Sequence, residues 1–236
     1  MNTRFAQGGD RCGWPQAVLF DLDGTLIDSV PDLASAVNDV LATENLPALT
    51  RDDVRMMIGH GVRKLVERAF AARGVTLKGA TLDEMTNRMM AIYARCLTVG
   101  TTLMPGAEKL LTAYARAGVK IGVVTNKPEA FSREIIEHFA LGDSVHVIVG
   151  GDTGPARKPA PDMLLHALEQ LGYGAHRALM VGDSPADIDA AKAVPMASIA
   201  VRGGYTTVPA DDLGADIVID SLNEVPQAIE RLKEPV

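Results

Sequence analysis

The sequence predicts an α/β protein: a parallel sheet flanked by helices, with a helical segment inserted after the first strand. Three observations predict it. Short apolar runs without alternation recur along the chain, as in strands buried on both faces. From Pro105 onward these runs alternate with amphipathic stretches, the pattern of βαβ units. Between residues 31 and 100 the alternation stops and only helical spacing remains.

In chain order, residues 1–14 are polar and glycine-bearing and read as a flexible leader. Ala17–Phe20 is the first buried strand, and it ends abruptly in Asp21-Leu22-Asp23-Gly24-Thr25. Ser29 is placed to cap a helix that opens at Pro31 and carries Leu33, Val37, Val40 and Leu41 on one face. Thr50 with Asp53 forms a capping box, with Asp in place of the usual Glu or Gln. Two further helices follow, one after Gly59-His60-Gly61 and one carrying Met85, Met89, Ile92, Tyr93, Cys96 and Leu97. The Met and aromatic stripe reads as core packing. Beyond it come helix 106–117, strand 120–125, helix 129–139, strand 145–149, helix 161–171, strand 178–181, helix 185–193, strand 197–201, strand 216–219 and helix 222–232. The expected division is a core of 15–30 and 101–236, with a helical module of 31–100 between the two parts.

Composition narrows the function classes. Thirty acids against 23 bases leave a net charge of -7, which argues against a nucleic-acid partner. No apolar run approaches the ~20 residues of a membrane helix, and residues 1–14 lack the apolar core of a signal peptide. Cys12 and Cys96 cannot build a disulfide framework. The expectation is a cytoplasmic protein, monomeric or homodimeric, with no membrane and no nucleic-acid partner.

Ligands of open α/β sheets bind outside the carboxyl ends of the strands, where strand order reverses. That rule gathers Asp21 and Asp23, Thr125-Asn126-Lys127, and Gly182-Asp183-Ser184 with Asp187 at one edge. Lys158, in Arg157-Lys158-Pro159, precedes a helix and reaches the same edge. Carboxylates gathered together repel unless a cation neutralises them. All-oxygen donors suit Mg²⁺, which completes its shell with water and phosphate oxygens. A lysine and a Thr-Asn turn offer phosphate-binding donors. The set reads as a Mg²⁺-assisted phosphoryl-transfer site. There is no G-x-x-x-x-G-K-[ST] loop and no G-x-S-x-G elbow, and the five histidines lack zinc-ligand spacing. The nucleophile is then a carboxylate. Asp21, at the rigid strand end, suits that role. Asp23, on the same side of an extended backbone, suits general acid/base work. Gly24 permits the turn that brings backbone close to phosphate.

Phe20-Asp21-Leu22-Asp23-Gly24-Thr25-Leu26, Thr125-Asn126, Lys158-Pro159 and Gly182-Asp183-Ser184-x-x-Asp187 resemble, in order, the four motifs of the haloacid dehalogenase superfamily. The resemblance covers about residues 17–220 and implies a Rossmann-like core with an inserted helical cap. It implies Asp21 as nucleophile, Asp23 as general acid/base, and Thr125 and Lys158 as phosphate binders, with Gly24 and Asn126 beside the substrate. It implies Mg²⁺ held by Asp21, the Asp23 carbonyl and Asp183, with Asp187 either a ligand through water or an orienting group. The second aspartate, Asp23, distinguishes phosphatases and mutases of the superfamily from its dehalogenases. Phe20–Leu33, Ile58–Leu65, Gly203-Gly204-Tyr205 and Asp216–Leu222 resemble most the bacterial phosphoglycolate phosphatase group. The small phosphorylated metabolite this implies is 2-phosphoglycolate; sugar phosphates, pyrophosphate and N-acetylmuramate 6-phosphate are the alternatives. A sugar phosphomutase and a non-catalytic binding module are the competing functions. In the insert, Gly59-His60-Gly61 precedes a helix, and helix N-termini attract anions. Arg63 follows and is expected to help select a substrate carboxylate.

Overall fold

The structure, a computed structural model, describes residues 13–233. Six strands form one parallel sheet: β1 (Ala17–Phe20), β4 (Lys120–Val124), β5 (Val147–Val149), β6 (Ala178–Gly182), β7 (Ala197–Val201) and β8 (Ile217–Ile219). Their spatial order is β5-β4-β1-β6-β7-β8, and every pairing is parallel. The chain therefore builds outward from β1 on one side, then returns to build outward on the other. The reversal lies at β1 and β6, where a doubly wound sheet opens its ligand crevice.

β1 explains why its sequence run does not alternate. Ala17 and Leu19 face one layer, with Met163, Leu164 and Leu168 of α7 (Asp162–Leu171) and Ala190 and Ala191 of α8 (Pro185–Lys192). Val18 and Phe20 face the other, with Leu111 of α5 (Ala107–Arg116), Ile135 and Ile136 of α6 (Glu129–His138) and Ile229 of α9 (Val225–Lys233). All four residues of β1 are fully buried, so both faces must be apolar.

The second cluster continues without a break into four helices: α1 (Val30–Thr43), α2 (Arg51–Arg55), α3 (Val62–Ala71) and α4 (Gly79–Tyr93). Leu33, Val37, Val40 and Leu41 of α1 are buried, as their spacing predicts. Thr50 and Asp53 form the expected capping box, with the Asp53 carboxylate accepting from the Thr50 backbone N–H at 3.0 Å. Ser29 stands at the N-cap of α1, but its side chain does not cap the helix. Its hydroxyl donates instead to Asp23 at 2.5 Å. Cys96 lies past the end of α4 rather than within it; Cys12 lies outside the described residues, as does most of the expected leader.

Two strands escape the sequence reading. β2 (Ile27–Asp28) and β3 (Thr102–Leu103) pair antiparallel where the chain enters and leaves the helical insert. Asp32, in the first turn of α1, reinforces that junction. It accepts from the backbone N–H groups of Gly100 at 2.7 Å and Thr101 at 2.8 Å, and from the Thr101 hydroxyl at 2.7 Å. The two connections are thus held together by backbone pairing and one buried carboxylate. Among the described residues, no helix is long and apolar enough to cross a membrane.

Candidate active site

The backbone after β1 does not continue extended. It folds into a tight turn, with Gly24 N–H donating to Ile27 O at 2.9 Å and Leu26 N–H to Leu22 O at 2.9 Å. Gly24 takes a φ of +87°, and a Cβ there would stand 2.6 Å from Asp183 Oδ2. Glycine is required on both counts. Gly24 therefore lets β1 and β6 bring their loops together. It is packed against Asp183.

Asp21, Asp183 and Asp187 offer carboxylate oxygens that all lie within 4.8 Å of one another. Lys158 is inserted among them. Its Nζ lies 2.6 Å from Asp187 Oδ1 and 2.9 Å from Asp21 Oδ1, and donates to Val124 O at 2.6 Å. The remaining oxygen of Asp187 accepts from the Ser184 hydroxyl at 2.7 Å and the Ser184 N–H at 3.1 Å, at the start of α8. Asp187 is thus neutralised by Lys158 and tied to its own helix. Asp183 has neutral partners only: the Thr25 hydroxyl at 3.0 Å and the Tyr205 N–H at 2.6 Å. Asp21 Oδ1 is buried and accepts no hydrogen bond of good geometry, despite the nearby ammonium.

The electrostatics follow. Three carboxylates and one ammonium leave two uncompensated negative charges in a buried space. Burial, then repulsion from Asp187, raises the Asp21 carboxyl to about 7. Burial and both neighbouring carboxylates push Asp183 well above its ordinary value. The Lys158 ammonium is held on its proton by Asp187 and Asp21 against the cost of burial. Such a cluster of hard oxygen donors, carrying more negative charge than its one ammonium offsets, fits a divalent cation.

Asp23 stands apart from this cluster. Its carboxylate is held by a residue given no role from the sequence: Lys127, whose Nζ lies 3.0 Å from Oδ1 and 3.2 Å from Oδ2. Lys127 also donates to the Tyr93 hydroxyl at 2.6 Å and lies 4.7 Å from the centre of that ring. Tyr93 is the last residue of α4; burial raises its phenol to about 12, partly opposed by the ammonium. The Asp23 side chain is thus not among the clustered acids, and only its backbone remains for the metal role the sequence suggested.

A cleft lies between the sheet edge and the helical insert. The core side contributes Asp21, Asp23, Thr125, Asn126 and Lys127; the insert contributes Leu33, Ile58, Val62, Leu65 and Tyr93, with Gly59 and Gly61 at the start of α3. Thr125 is buried at the end of β4, its hydroxyl accepting from Lys127 N–H at 3.3 Å. Asn126 bridges the two sides: its amide donates to Gly59 O at 2.9 Å and Lys158 O at 3.0 Å. Its Oδ1 is left buried and unpartnered. Arg63 does not reach the cleft. It pairs with Asp83 at 2.9 Å, and half of its side chain is exposed, because its position on α3 turns it toward α4.

Tyr205 joins the acid cluster to the insert. Its N–H binds Asp183, while its hydroxyl donates to Asp28 at 2.6 Å and accepts from Ser29 N–H at 2.8 Å. Nothing local in the sequence marks it except the preceding Gly203-Gly204, and a Cβ at Gly204 would collide with Asp183.

Comparison with known proteins matches this arrangement. Residues 18–201 match the haloacid dehalogenase-like hydrolase family. The phosphoglycolate phosphatase of Rhodospirillum rubrum is 43% identical over 210 residues, covering 87% of each chain. That of Caulobacter vibrioides is 38% identical, covering 89% of each. The crystal structure of a predicted phosphoglycolate phosphatase from Haemophilus somnus superposes with a TM-score of 0.85 at 28% identity, over 90% of this chain and 97% of the other. CbbY from Rhodobacter sphaeroides, solved in complex with phosphate, superposes with a TM-score of 0.76 at 25% identity, over 89% and 96%. With the strand order, the acid cluster and these matches together, this chain belongs to the haloacid dehalogenase-like hydrolases.

Proposed function

We propose that the protein is a Mg²⁺-dependent phosphomonoesterase whose substrate is 2-phosphoglycolate. The observation that carries the reading is Asp21: a carboxylate at the rigid end of the central strand, lining the cleft, with one oxygen buried and without a well-formed hydrogen bond. The Asp21 carboxylate attacks phosphorus as the bond to the ester oxygen breaks, and the phosphoryl group passes to Asp21 as an aspartyl-phosphate. Splitting hydrolysis into two displacements also lets one site handle both the ester and the water.

Each neighbour then has a task. Lys158 neutralises phosphate oxygens while Asp187, bound to it at 2.6 Å, fixes its direction. The Thr125 hydroxyl, at the end of β4, is placed to donate to the same oxygens. Asp23 gives a proton to the leaving alkoxide and later takes one from the attacking water. Asp21, Asp183 and the Asp23 carbonyl would hold Mg²⁺, and Asp187 acts through Lys158. When bound, the ion supplies charge neutralisation for the phosphoryl oxygens during transfer. The helical insert, residues 31–100 in the domain division read from the sequence, is a cap that keeps bulk water from the ester. The substrate assignment rests on the relatives named phosphoglycolate phosphatase, at 36–43% identity over most of the chain.

Phosphate release from a panel of esters tests this reading. The panel holds 2-phosphoglycolate, hexose phosphates, pyrophosphate, nucleotides and N-acetylmuramate 6-phosphate, each with Mg²⁺ and with EDTA. The expected result is a Mg²⁺-dependent kcat/KM highest for 2-phosphoglycolate. A higher value for another ester reassigns the substrate. Isomerised sugar phosphate without net phosphate release makes the protein a mutase.

A further inference from the structure

The sequence offered Arg63 as the reader of the substrate's second charge, and the structure turns Arg63 away. Another cation is in place. Lys127 lines the cleft, its side chain is 2% exposed, and among the residues lining that cleft it is the one cation. We propose that Lys127 is the specificity residue of this site: its ammonium receives an anionic group carried on the leaving alcohol, close to the ester oxygen. The inference rests on the phosphatase reading above and deepens it to a substrate class, namely small phosphate esters whose alcohol bears a carboxylate.

The geometry carries the assignment. Asp23 is the group that meets the leaving oxygen, and Lys127 Nζ is 3.0 Å from Asp23 Oδ1. A leaving oxygen at hydrogen-bond distance from Asp23, roughly 2.7 Å away, therefore lies within about two hydrogen-bond lengths of the ammonium. A carboxylate on the adjacent carbon of the alcohol closes that gap, whereas one several carbons further on overshoots it. Reach is further limited because Lys127 is held in place. The Tyr93 hydroxyl oxygen accepts a hydrogen bond from it at 2.6 Å, and the ring lies beside the ammonium.

The surroundings favour a charged partner over water. Leu33, Ile58, Val62 and Leu65 supply apolar walls, and a charge pair in such a setting is screened less than at a surface. The first turn of α3, at Gly61 and Val62, opens onto the same cleft and adds the positive end of a helix. The insert thus contributes through Tyr93 and α3, although it supplies no cationic side chain of its own to the cleft lining.

The test compares two esters that differ only in the alcohol's charge, 2-phosphoglycolate and 2-hydroxyethyl phosphate, in wild type, Lys127→Met and Lys127→Gln with Mg²⁺. Lys127→Gln removes the charge but keeps hydrogen-bonding atoms in the side chain, so it serves if the methionine variant does not fold. The expected result is a wild-type preference for 2-phosphoglycolate that falls by about 10- to 100-fold in both variants, the scale of one lost charge-assisted hydrogen bond. If Lys127 acts only by positioning Asp23, both esters slow by the same factor and the ratio is unchanged, which overturns the inference and leaves the phosphatase reading intact. A wild-type enzyme that shows no preference for the anionic ester overturns this inference and the phosphoglycolate assignment together.

Discussion

Removing the nucleophile should make the metal-free protein more stable. Asp21 is raised from an ordinary 3.8 to about 7, so folding works against its ionisation. For an acid whose folded value is raised, the unfolded chain ionises first as pH rises. The penalty is absent below pH ~4, grows between pH ~4 and 7, and is complete above 7. Its full size is about 4 kcal/mol, at 1.36 kcal/mol per tenfold change in proton affinity. Asp21→Asn removes the charge and keeps the shape, and it also relieves repulsion on Asp183. The buried amide carries a desolvation cost of its own, so the net gain is set at about 2–4 kcal/mol. For a chain of this length that is a rise in Tm of about 5–15 °C. Calorimetry in EDTA at pH 4, 6 and 8 measures it. The variant should melt with or slightly below wild type at pH 4 and well above it at pH 8, and adding Mg²⁺ should raise wild type more than the variant. A difference that does not grow with pH, or an Asn variant less stable at pH 8, refutes the electrostatic account of the cluster.

Three further outcomes follow from the contacts. Asp23→Asn should lose stability, because the buried Lys127 ammonium loses its carboxylate partner, and should lower kcat by about 10²–10⁴, the usual contribution of a general acid/base; urea denaturation and steady-state phosphate release check the two effects. Gly24→Ala, with a φ of +87° and its new methyl 2.6 Å from Asp183 Oδ2, should displace Asp183 and raise the Mg²⁺ concentration needed for half-maximal activity severalfold. Tyr205→Phe deletes the hydroxyl that bonds Asp28 and Ser29 and should cost about 1–3 kcal/mol by urea denaturation, since the Ser29 N–H is left buried without a partner.

What was legible in the sequence was what depends on near neighbours. The strand positions of the core emerge from apolar runs because a doubly covered strand needs both faces apolar, and β1 and β7 appear with the bounds read from the sequence. The gathering of Asp21, Thr125, Lys158 and Asp183 was legible too, because a parallel sheet places the ends of successive strands at one edge. β2 and β3 were not, since two residues cannot show a period of two. Ser29 looks like a helix cap from its neighbours, yet its hydroxyl belongs to Asp23. Lys127 and Tyr205 were in view, but their contacts were not, for the same reason. Their partners, Asp23 and Tyr93 for one and Asp28 for the other, are 104, 34 and 177 residues away, and no local pattern encodes such pairs. The pairing of Arg63 with Asp83, 20 residues on, was likewise not legible, because a basic residue after a glycine turn looks the same whichever way the helix faces.

The claim on which the rest depends is that Asp21 takes the phosphoryl group. Rapid mixing of enzyme, Mg²⁺ and saturating substrate, an acid quench, and borohydride reduction of any acyl phosphate test it directly. Peptide mass spectrometry should find Asp21 converted to homoserine, in wild type and not in Asp21→Asn. Homoserine at Asp23, or no reduced aspartate while phosphate is being released, would contradict the account.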